Sequence, residues 1–177
     1  MRSPVTAEPL AKEAPAPSTG LSEEEKGPAF EEWVADRFPK VSFERKHWRS
    51  DKITAAGRYA ESNKDPDMEV DLVLGRTHYP FAVECKWRAR MPDGEVQFAE
   101  PYQIENYRAY MQRTKRPVFI VLGVGGSPSA PSFLYCIPVQ NAGNGTKSSM
   151  ELLTHYRQSM SRKAGFYFDV MHGTLKY

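Results

Sequence analysis

Residues 70–87, VDLVLGRTHYPFAVECKW, contain two apolar runs on either side of a short polar segment and predict a β-hairpin. With the turn placed at residues 75–80, three apolar pairs fall on one face: Leu74 with Phe81, Leu72 with Val83, and Val70 with Cys85. A shift of one residue would move this apolar set to the opposite face, so the pattern favours this register.

The other face of this hairpin carries charges in mid-strand. The same register places Asp71 opposite Glu84 and Glu69 opposite Lys86. Like charges that face each other directly reduce stability, so folding alone gives no reason for the pair of acids. A divalent cation between the two carboxylates would turn the repulsion into coordination. The alternative is a set of exposed surface charges, in which Glu69 and Lys86 form a weak ion pair.

Further elements follow from apolar periodicity and from the positions of proline and glycine. The segment 22–39, SEEEKGPAFEEWVADRFP, predicts a helix with acids at its start, Pro28 in its first turn and Glu31 beside its apolar stripe. The other elements predicted are strands at 41–48, 118–126, 133–139 and 165–170, and helices at 99–114 and 148–160. The order is α-β-β-β-α-β, which predicts an α/β fold with a mixed central sheet flanked by helices.

Length and composition restrict the class of protein. The chain has 177 residues, which suits a single domain over residues 22–177 after a disordered tail or linker at residues 1–21. We expect no membrane association, because no apolar run approaches the roughly 20 residues that span a bilayer. The start of the chain has no apolar segment typical of a secretory signal, so we expect a cytoplasmic protein. Cys85 and Cys136 lie in apolar runs and are interpreted as buried, reduced thiols.

The charge distribution is uneven. The net charge is +2, but residues 1–38 carry 4 Lys and Arg against 8 Asp and Glu, and the remainder carries 20 against 14. A basic body suits a polyanionic partner, although a solvated surface explains the charge equally well. The basic side chains near the hairpin, with two tryptophans among them, are Arg45, Lys46, Trp48, Arg49, Lys52, Arg58, Trp87, Arg88, Arg90, Arg108, Arg113, Lys115 and Arg116.

The charged residues of the hairpin resemble the signature of the PD-(D/E)xK nuclease superfamily, which includes restriction endonucleases, Holliday-junction resolvases and RecB-type exonuclease domains. In that signature an Asp opens one strand and a Glu-x-Lys lies in the next, here Asp71 and Glu84-Cys85-Lys86. GPAFE matches the helical G-x-x-x-E motif through Glu31, and QIENY matches Q-x-x-x-Y through Gln103 and Tyr107. The resemblance covers residues 27–125 and implies the restriction-endonuclease-like αβββαβ core.

The resemblance also implies the chemistry. The protein would be a deoxyribonuclease, acting as an endonuclease, that hydrolyses DNA with Mg²⁺, or with Mn²⁺ as a substitute. Asp71, Glu84 and the backbone carbonyl of Cys85 would hold the ion, and Lys86 would orient the attacking water and stabilise the oxyanion. Glu31 would position a water or a second ion, and Gln103 and Tyr107 would support the site. Related enzymes often act as homodimers.

Two alternatives remain open at the level of sequence. The literal Pro-Asp of the signature is Pro66-Asp67, four residues before Asp71, so either aspartate fits the role of metal ligand. We prefer Asp71, because it falls opposite Glu84 whereas Asp67 would fall opposite Arg88. The second alternative is a catalytically inactive module of the same fold that binds nucleic acid or protein.

Overall fold

A computed structural model describes residues 20–48, 64–145, 148–149, 153–160 and 165–177 of the chain. Most of the predicted tail, residues 1–19, lies outside this range, as do Arg49, Lys52 and Arg58. The helices described are α1 (Glu23–Ala35) and α2 (Pro101–Thr114). The strands are β1 (Phe43–Trp48), β2 (Met68–Leu74), β3 (Thr77–Arg88), β4 (Glu95–Val96), β5 (Val118–Val124), β6 (Phe133–Pro138), β7 (Ser148–Ser149), β8 (Tyr167–Asp169) and β9 (Thr174–Lys176).

The central sheet has five strands in the order β1-β2-β3-β5-β6. All neighbours pair antiparallel except β3 and β5, which are parallel. Parallel neighbours need a long connection, and α2 supplies it. The prediction of a mixed sheet in an αβββαβ core, the restriction-endonuclease-like architecture, is confirmed. In the part of the chain that is described, no helix is long and apolar enough to cross a membrane.

Each face of the sheet has its own apolar core. Phe30, Trp33 and Val34 of α1 pack on one face, and Ile104 and Tyr107 of α2 lie on the other. β5 is buried on both faces because it lies between the two helices, which explains its continuous apolar sequence. The alternation along β3 continues past its pairing with β2, so Glu84 and Lys86 point to the α2 face and Cys85 to the α1 face.

The predicted register of the hairpin is wrong. The turn contains only Gly75 and Arg76, and Leu74 pairs with Thr77. Gly75 adopts a positive φ of 63°, which glycine accommodates without strain in a two-residue turn. The two strands are displaced by four residues relative to the prediction, so Val70 pairs with Phe81, Asp71 with Pro80, and Met68 with Val83. The faces are as predicted, but the neighbours across the ladder are different.

Two predicted helices differ from the structure. The first begins at Glu23 with Ser22 as its N-cap, so Pro28 lies in the second turn and not in the first. The late helix predicted over 148–160 is much shorter in its described part, where Leu153 and Thr154 are helical, Ser148–Ser149 form β7 and Arg157 bridges to Tyr135 of β6. The cause is the edge of β6, whose backbone groups need partners: Cys136 N–H donates to Tyr156 O at 3.0 Å.

The C-terminal hairpin, residues 165–177, holds α1 against the sheet. The ring of Phe166 stacks on Phe38 with centroids 4.7 Å apart, and Tyr177 stacks on Trp33 at 5.9 Å. Arg37 Nε donates a hydrogen bond to the Tyr177 hydroxyl at 3.1 Å. The position of α1 therefore depends on residues more than a hundred positions later in the chain.

Gly123 of β5 lets α1 lie close to the sheet, because it has no side chain. A Cβ at this position would lie 2.6 Å from Cε2 of the buried Phe30 ring. Gly123→Ala should therefore destabilise the fold by about 1–3 kcal/mol, the usual cost of overpacking a core. Chemical denaturation measures the change, and an unchanged midpoint would mean that α1 moves away freely.

Candidate active site

Strands β2 and β3 diverge at one point, and the candidate site lies there. The ladder between them ends at the pair Met68 and Val83, and β3 continues alone to Arg88 on this side. The same register extended by one residue places Asp67 opposite Glu84. Asp67 Oδ2 accepts the Cys85 backbone N–H at 2.7 Å. The Asp67 side chain therefore takes a backbone donor that a continued strand would have paired.

Asp67 lies in a strongly acidic environment. Burial raises the pKa of its carboxyl well above the usual value of 3.8, and the charges of Glu84 and Glu31 raise it further. Lys86 and the hydrogen bond from Cys85 oppose this increase without cancelling it. Glu31 of α1 and Glu84 of β3 thus add negative charge around Asp67, which directly precedes β2, and this disfavours ionisation of Asp67 in the absence of a cation.

Glu84 has two partners on the α2 face. It is 4% exposed, and its Oε1 lies 2.6 Å from Lys86 Nζ. Burial alone would lower the pKa of Lys86, but the charges of Glu84 and Asp67 outweigh it, so the pKa is raised and Lys86 is a cation at neutral pH. Burial, followed by the charge and hydrogen bond of Glu84, raises the pKa of Tyr107 and keeps its hydroxyl protonated. Tyr107 is therefore a donor to Glu84 as well as part of the core.

A cleft of about 490 Å³ opens in front of these residues. Its wall on α1 includes Lys26, Gly27 and Glu31, and its floor includes Asp67 and Lys86. Glu31 is buried, and its charge raises the pKa of both Asp67 and Cys85, so it lies close to the acids of the sheet. The structure therefore brings together Glu31, Glu84, Cys85, Lys86 and Tyr107 of the predicted set.

Asp71 is not part of this group. It pairs with Pro80 and lies four residues along β2 from Asp67, about 13 Å for an extended strand. Its Oδ2 lies 2.7 Å from His78 Nδ1, and the residue is 6% exposed. The expectation that Asp71 faces Glu84 is wrong, because the turn is shorter than predicted. Asp67, the alternative left open by the sequence, occupies that position.

Gln103 and Cys85 have defined local partners. Gln103 Oε1 accepts the backbone N–H of Glu100 at 2.9 Å and thereby caps α2 one turn before Tyr107. Cys85 is a buried free thiol, as predicted, and burial raises its pKa well above 9.0, which keeps the sulfur protonated. Only the backbone of Cys85 is therefore available to a metal.

Of the eight predicted basic residues that the structure describes, five are engaged in hydrogen bonds or ion pairs within the protein. Arg88 donates to the carbonyl oxygens of Trp87, Gln97 and Phe98 at 2.8–3.2 Å. The other engaged basic residues, with their partners, are Arg108 with Gly143 O, Arg113 with Asp65, Arg116 with Glu69, and Lys46 with Glu44. Trp87 packs partly against the α1-side core, as expected from its position on the apolar face.

Lys26 also lines the cleft, although nothing in the sequence singles it out. It follows three glutamates in the helix-starting run SEEEKGP, whose acidic character hides the single cation. The one signal available is its position directly before the glycine of the G-x-x-x-E motif, five residues before Glu31 on the same helix.

The oxygen donors of the cleft suit a magnesium ion. Among the described residues, no three His, Cys, Asp or Glu side chains are already arranged around one point at coordinating distances. Mg²⁺, however, is usually bound through one or two carboxylates and keeps several waters. Asp67 and Glu84 supply two hard oxygen donors, and burial together with the negative charges of Glu84 and Glu31, which a cation would neutralise, raises the pKa of Asp67. The residues therefore fit Mg²⁺.

Tyr107 and Tyr110 provide a matched test of the site. Both are buried on α2; the hydroxyl of Tyr107 faces Glu84, and that of Tyr110 faces Glu69 and Arg116. Tyr107→Phe should cost about 1–3 kcal/mol of stability, since it leaves the buried Glu84 carboxylate with one donor fewer. Tyr110→Phe should cost less, since the buried Tyr110 hydroxyl has no hydrogen-bond partner among the described residues. Only Tyr107→Phe should alter Mg²⁺ affinity in calorimetric titration. Equal effects of the two changes on Mg²⁺ affinity would make Tyr107 a core residue only.

Comparison with protein-family models finds no match, and comparison with curated proteins also finds none. Among solved structures, the chain is similar to Hjc, a Holliday junction resolvase from the archaeal hyperthermophile Archaeoglobus fulgidus. The TM-score is 0.48 at 19% sequence identity, and the match covers 73% of this chain and 93% of that chain.

Proposed function

We propose that this protein is a metal-dependent nuclease that hydrolyses phosphodiester bonds in DNA. The observation that carries the proposal is the approach of Asp67 and Glu84 just beyond the β2–β3 ladder, where burial and then the charge of Glu84 raise the pKa of Asp67. Lys86 lies 2.6 Å from Glu84, and Asp67 and Lys86 line an open cleft. Acids held close together reduce stability, so they need a reason other than folding. In this register the residues read Pro66-Asp67 and Glu84-Cys85-Lys86, which is the literal form of the PD-(D/E)xK signature.

Asp67, Glu84 and the Cys85 carbonyl would hold Mg²⁺, with Mn²⁺ as a substitute. When bound, such an ion lowers the pKa of a coordinated water and neutralises charge on the scissile phosphate. The hydrogen bond from Cys85 N–H fixes the orientation of the Asp67 carboxylate before any ligand arrives. Tyr107 restrains Glu84 from the α2 side. Two of the ligands are therefore held in place by the fold.

The other polar residues of the cleft have separate roles. Lys86 is a cation, so it donates hydrogen bonds to the attacking water and to the phosphate oxygen on which negative charge develops. Glu31 lies on the opposite wall and accepts a proton from a water or orients it. Gln103 acts through α2, because its cap fixes the helix end that carries Tyr107. We assign the enzyme to the restriction, repair or recombination type; homodimer formation and a cytoplasmic location stay predictions.

The test is a cleavage panel. Plasmid, linear duplex and four-way branched DNA are incubated with the protein in Mg²⁺, in Mn²⁺ and in EDTA, and the products are separated on gels. Cleavage of at least one form that requires the metal is the expected result. Folded protein that binds Mg²⁺ in calorimetry yet cleaves none of them would contradict the proposal.

A second function, a non-catalytic module that binds nucleic acid, is favoured by one contact. Lys86 Nζ already neutralises Glu84 at 2.6 Å, so the metal-free site is partly balanced by the protein itself. A module of this kind has no need of a metal ion. Calorimetric titration with Mg²⁺ separates the two functions, since only the nuclease requires a measurable binding heat that disappears in Asp67→Asn.

A further inference from the structure

The wall of the cleft on α1 contains a cation that the proposed reaction does not use. Lys26 has a side chain that is 21% exposed, and its ammonium lies 5.9 Å from the centre of the Trp87 ring. Its ion-pair partner is Glu23, whose side chain is 88% exposed. An ion pair with so exposed a partner contributes little, so the Glu23 carboxylate can leave readily. Lys26 is therefore a positioned cation at the cleft with a weakly held counter-charge.

The next residue, Gly27, lies inside α1, where glycine is unfavourable. Glycine destabilises a helix interior relative to alanine because it loses more backbone freedom on folding. Pro28 follows Gly27 in the helix, and a residue without a Cβ avoids the proline ring there. Apart from its chain neighbours and the helix backbone, a Cβ at Gly27 would meet no heavy atom within 4 Å, whereas at Gly123 the Phe30 ring fills the space. Gly27 lines the cleft and leaves the helix backbone open on that side.

We infer that Lys26 and Gly27 form a subsite for the sugar-phosphate backbone of the DNA strand, next to the position of the cleaved bond. Lys26 supplies the charge for a phosphate, and Gly27 lets the strand approach the helix backbone without a side chain between them. The subsite rests on the proposed nuclease function and adds the binding of the substrate strand to it. Glu23 competes with the phosphate for Lys26.

The experiment measures binding apart from cleavage. A fluorescein-labelled duplex DNA is titrated with protein in EDTA, and anisotropy gives Kd over a series from about 50 to 200 mM salt. Lys26→Gln should weaken binding severalfold at low salt and lower the slope of log Kd against log salt by about 0.9, the loss of one phosphate contact. Lys40→Gln, the same change at an exposed lysine outside the cleft, should match wild type. Glu23→Gln should tighten binding at low salt.

Gly27 gives the sharper half of the test, because a Cβ here should weaken DNA binding without a matching loss of stability. In Gly27→Ala the gain in helix propensity opposes the contact of the new Cβ with the ring of Pro28, so the melting temperature should stay near that of wild type while DNA binding weakens. Gly27→Leu retains a good helix former and adds bulk, so it should weaken binding more. A glycine with a purely structural role predicts no loss of binding in either variant.

The outcomes distinguish this inference from the proposed function. A wild-type salt slope in Lys26→Gln, or wild-type binding by both Gly27 variants, overturns the subsite even if the protein cleaves DNA. Binding that depends on Lys26 and Gly27 without any cleavage in Mg²⁺ or Mn²⁺ supports the subsite and contradicts the nuclease. A wild-type protein that binds no DNA overturns both.

Discussion

Lys86→Ala should lower DNA cleavage by at least about 100-fold, the usual loss when a group that stabilises developing charge is removed. Metal binding should persist, since the ammonium contacts water and phosphate and not the ion. The variant should also lose stability in the metal-free state, because the buried Glu84 carboxylate loses its ion pair at 2.6 Å. Breaking a buried pair in this way costs on the order of 3–5 kcal/mol.

Because Lys86→Ala risks unfolding, Lys86→Gln accompanies it. The amide keeps a donor for Glu84 but carries no charge, so this variant should fold better and remain inactive. Lys40→Ala is the control for the loss of an exposed lysine. Turnover near that of wild type in a folded Lys86→Gln protein would remove Lys86 from the proposed chemistry.

Asp67→Asn should abolish cleavage and yet leave the metal-free protein as stable as wild type or more so, by up to about 1 kcal/mol for a pair of facing acids. The asparagine oxygen can still accept the Cys85 N–H, and the repulsion from Glu84 and Glu31 is gone. Wild type at free Mg²⁺ of ten times its Kd should gain about 1.4 kcal/mol, and the variant should lose most of that gain. Thermal melting with and without Mg²⁺ measures both effects.

The pH dependence of the free energy of unfolding tests the environment of Asp67 without any metal ion. The folded state binds the Asp67 proton more tightly than the unfolded chain does, because burial and the neighbouring acids raise its pKa well above 3.8. The free energy of unfolding of the metal-free protein should therefore fall as pH rises from 3.8 toward that raised pKa. In Asp67→Asn this contribution to the slope should disappear.

Asp71→Asn is the matched control for Asp67→Asn, since it makes the same change four residues later in the chain, within β2. It removes the partner of His78, so it should alter stability and leave both cleavage and the Mg²⁺ shift in place. Loss of activity in Asp71→Asn with full activity in Asp67→Asn would show that the longer turn predicted from the sequence is right after all.

The sequence pattern correctly predicted on which face of the hairpin each side chain lies, but not which residues pair across the two strands. Side chains alternate with a period of two, so a displacement of four residues leaves every apolar residue on the same face. Alternation alone cannot distinguish a six-residue turn from the two-residue turn at Gly75 and Arg76. Only the backbone of the turn decides between them, and with it whether Asp67 or Asp71 stands opposite Glu84.

The element order could be predicted because it depends on local signals such as the buried run of β5 and the acids and apolar stripe of the first helix. The conformation of the segment near residues 148–160 depends instead on hydrogen bonds with the backbone of β6. The edge of β6 requires backbone partners, and Gln158 N–H donates to Leu134 O at 2.8 Å to supply one. Long-range pairing of this kind overrides a local apolar pattern. The place of Lys26 beside Trp87 likewise depends on how α1 packs on β3.

The packing of the C-terminal hairpin on α1 determines when the cleft is completed during synthesis. Glu31 and Lys26 emerge from the ribosome early, but α1 is held partly by Phe166 and Tyr177, which are translated more than a hundred residues later. A nascent chain therefore carries α1 with part of its aromatic face uncovered and the wall of its cleft not yet fixed. The wall of the cleft is therefore completed only once residues 166–177 have been translated.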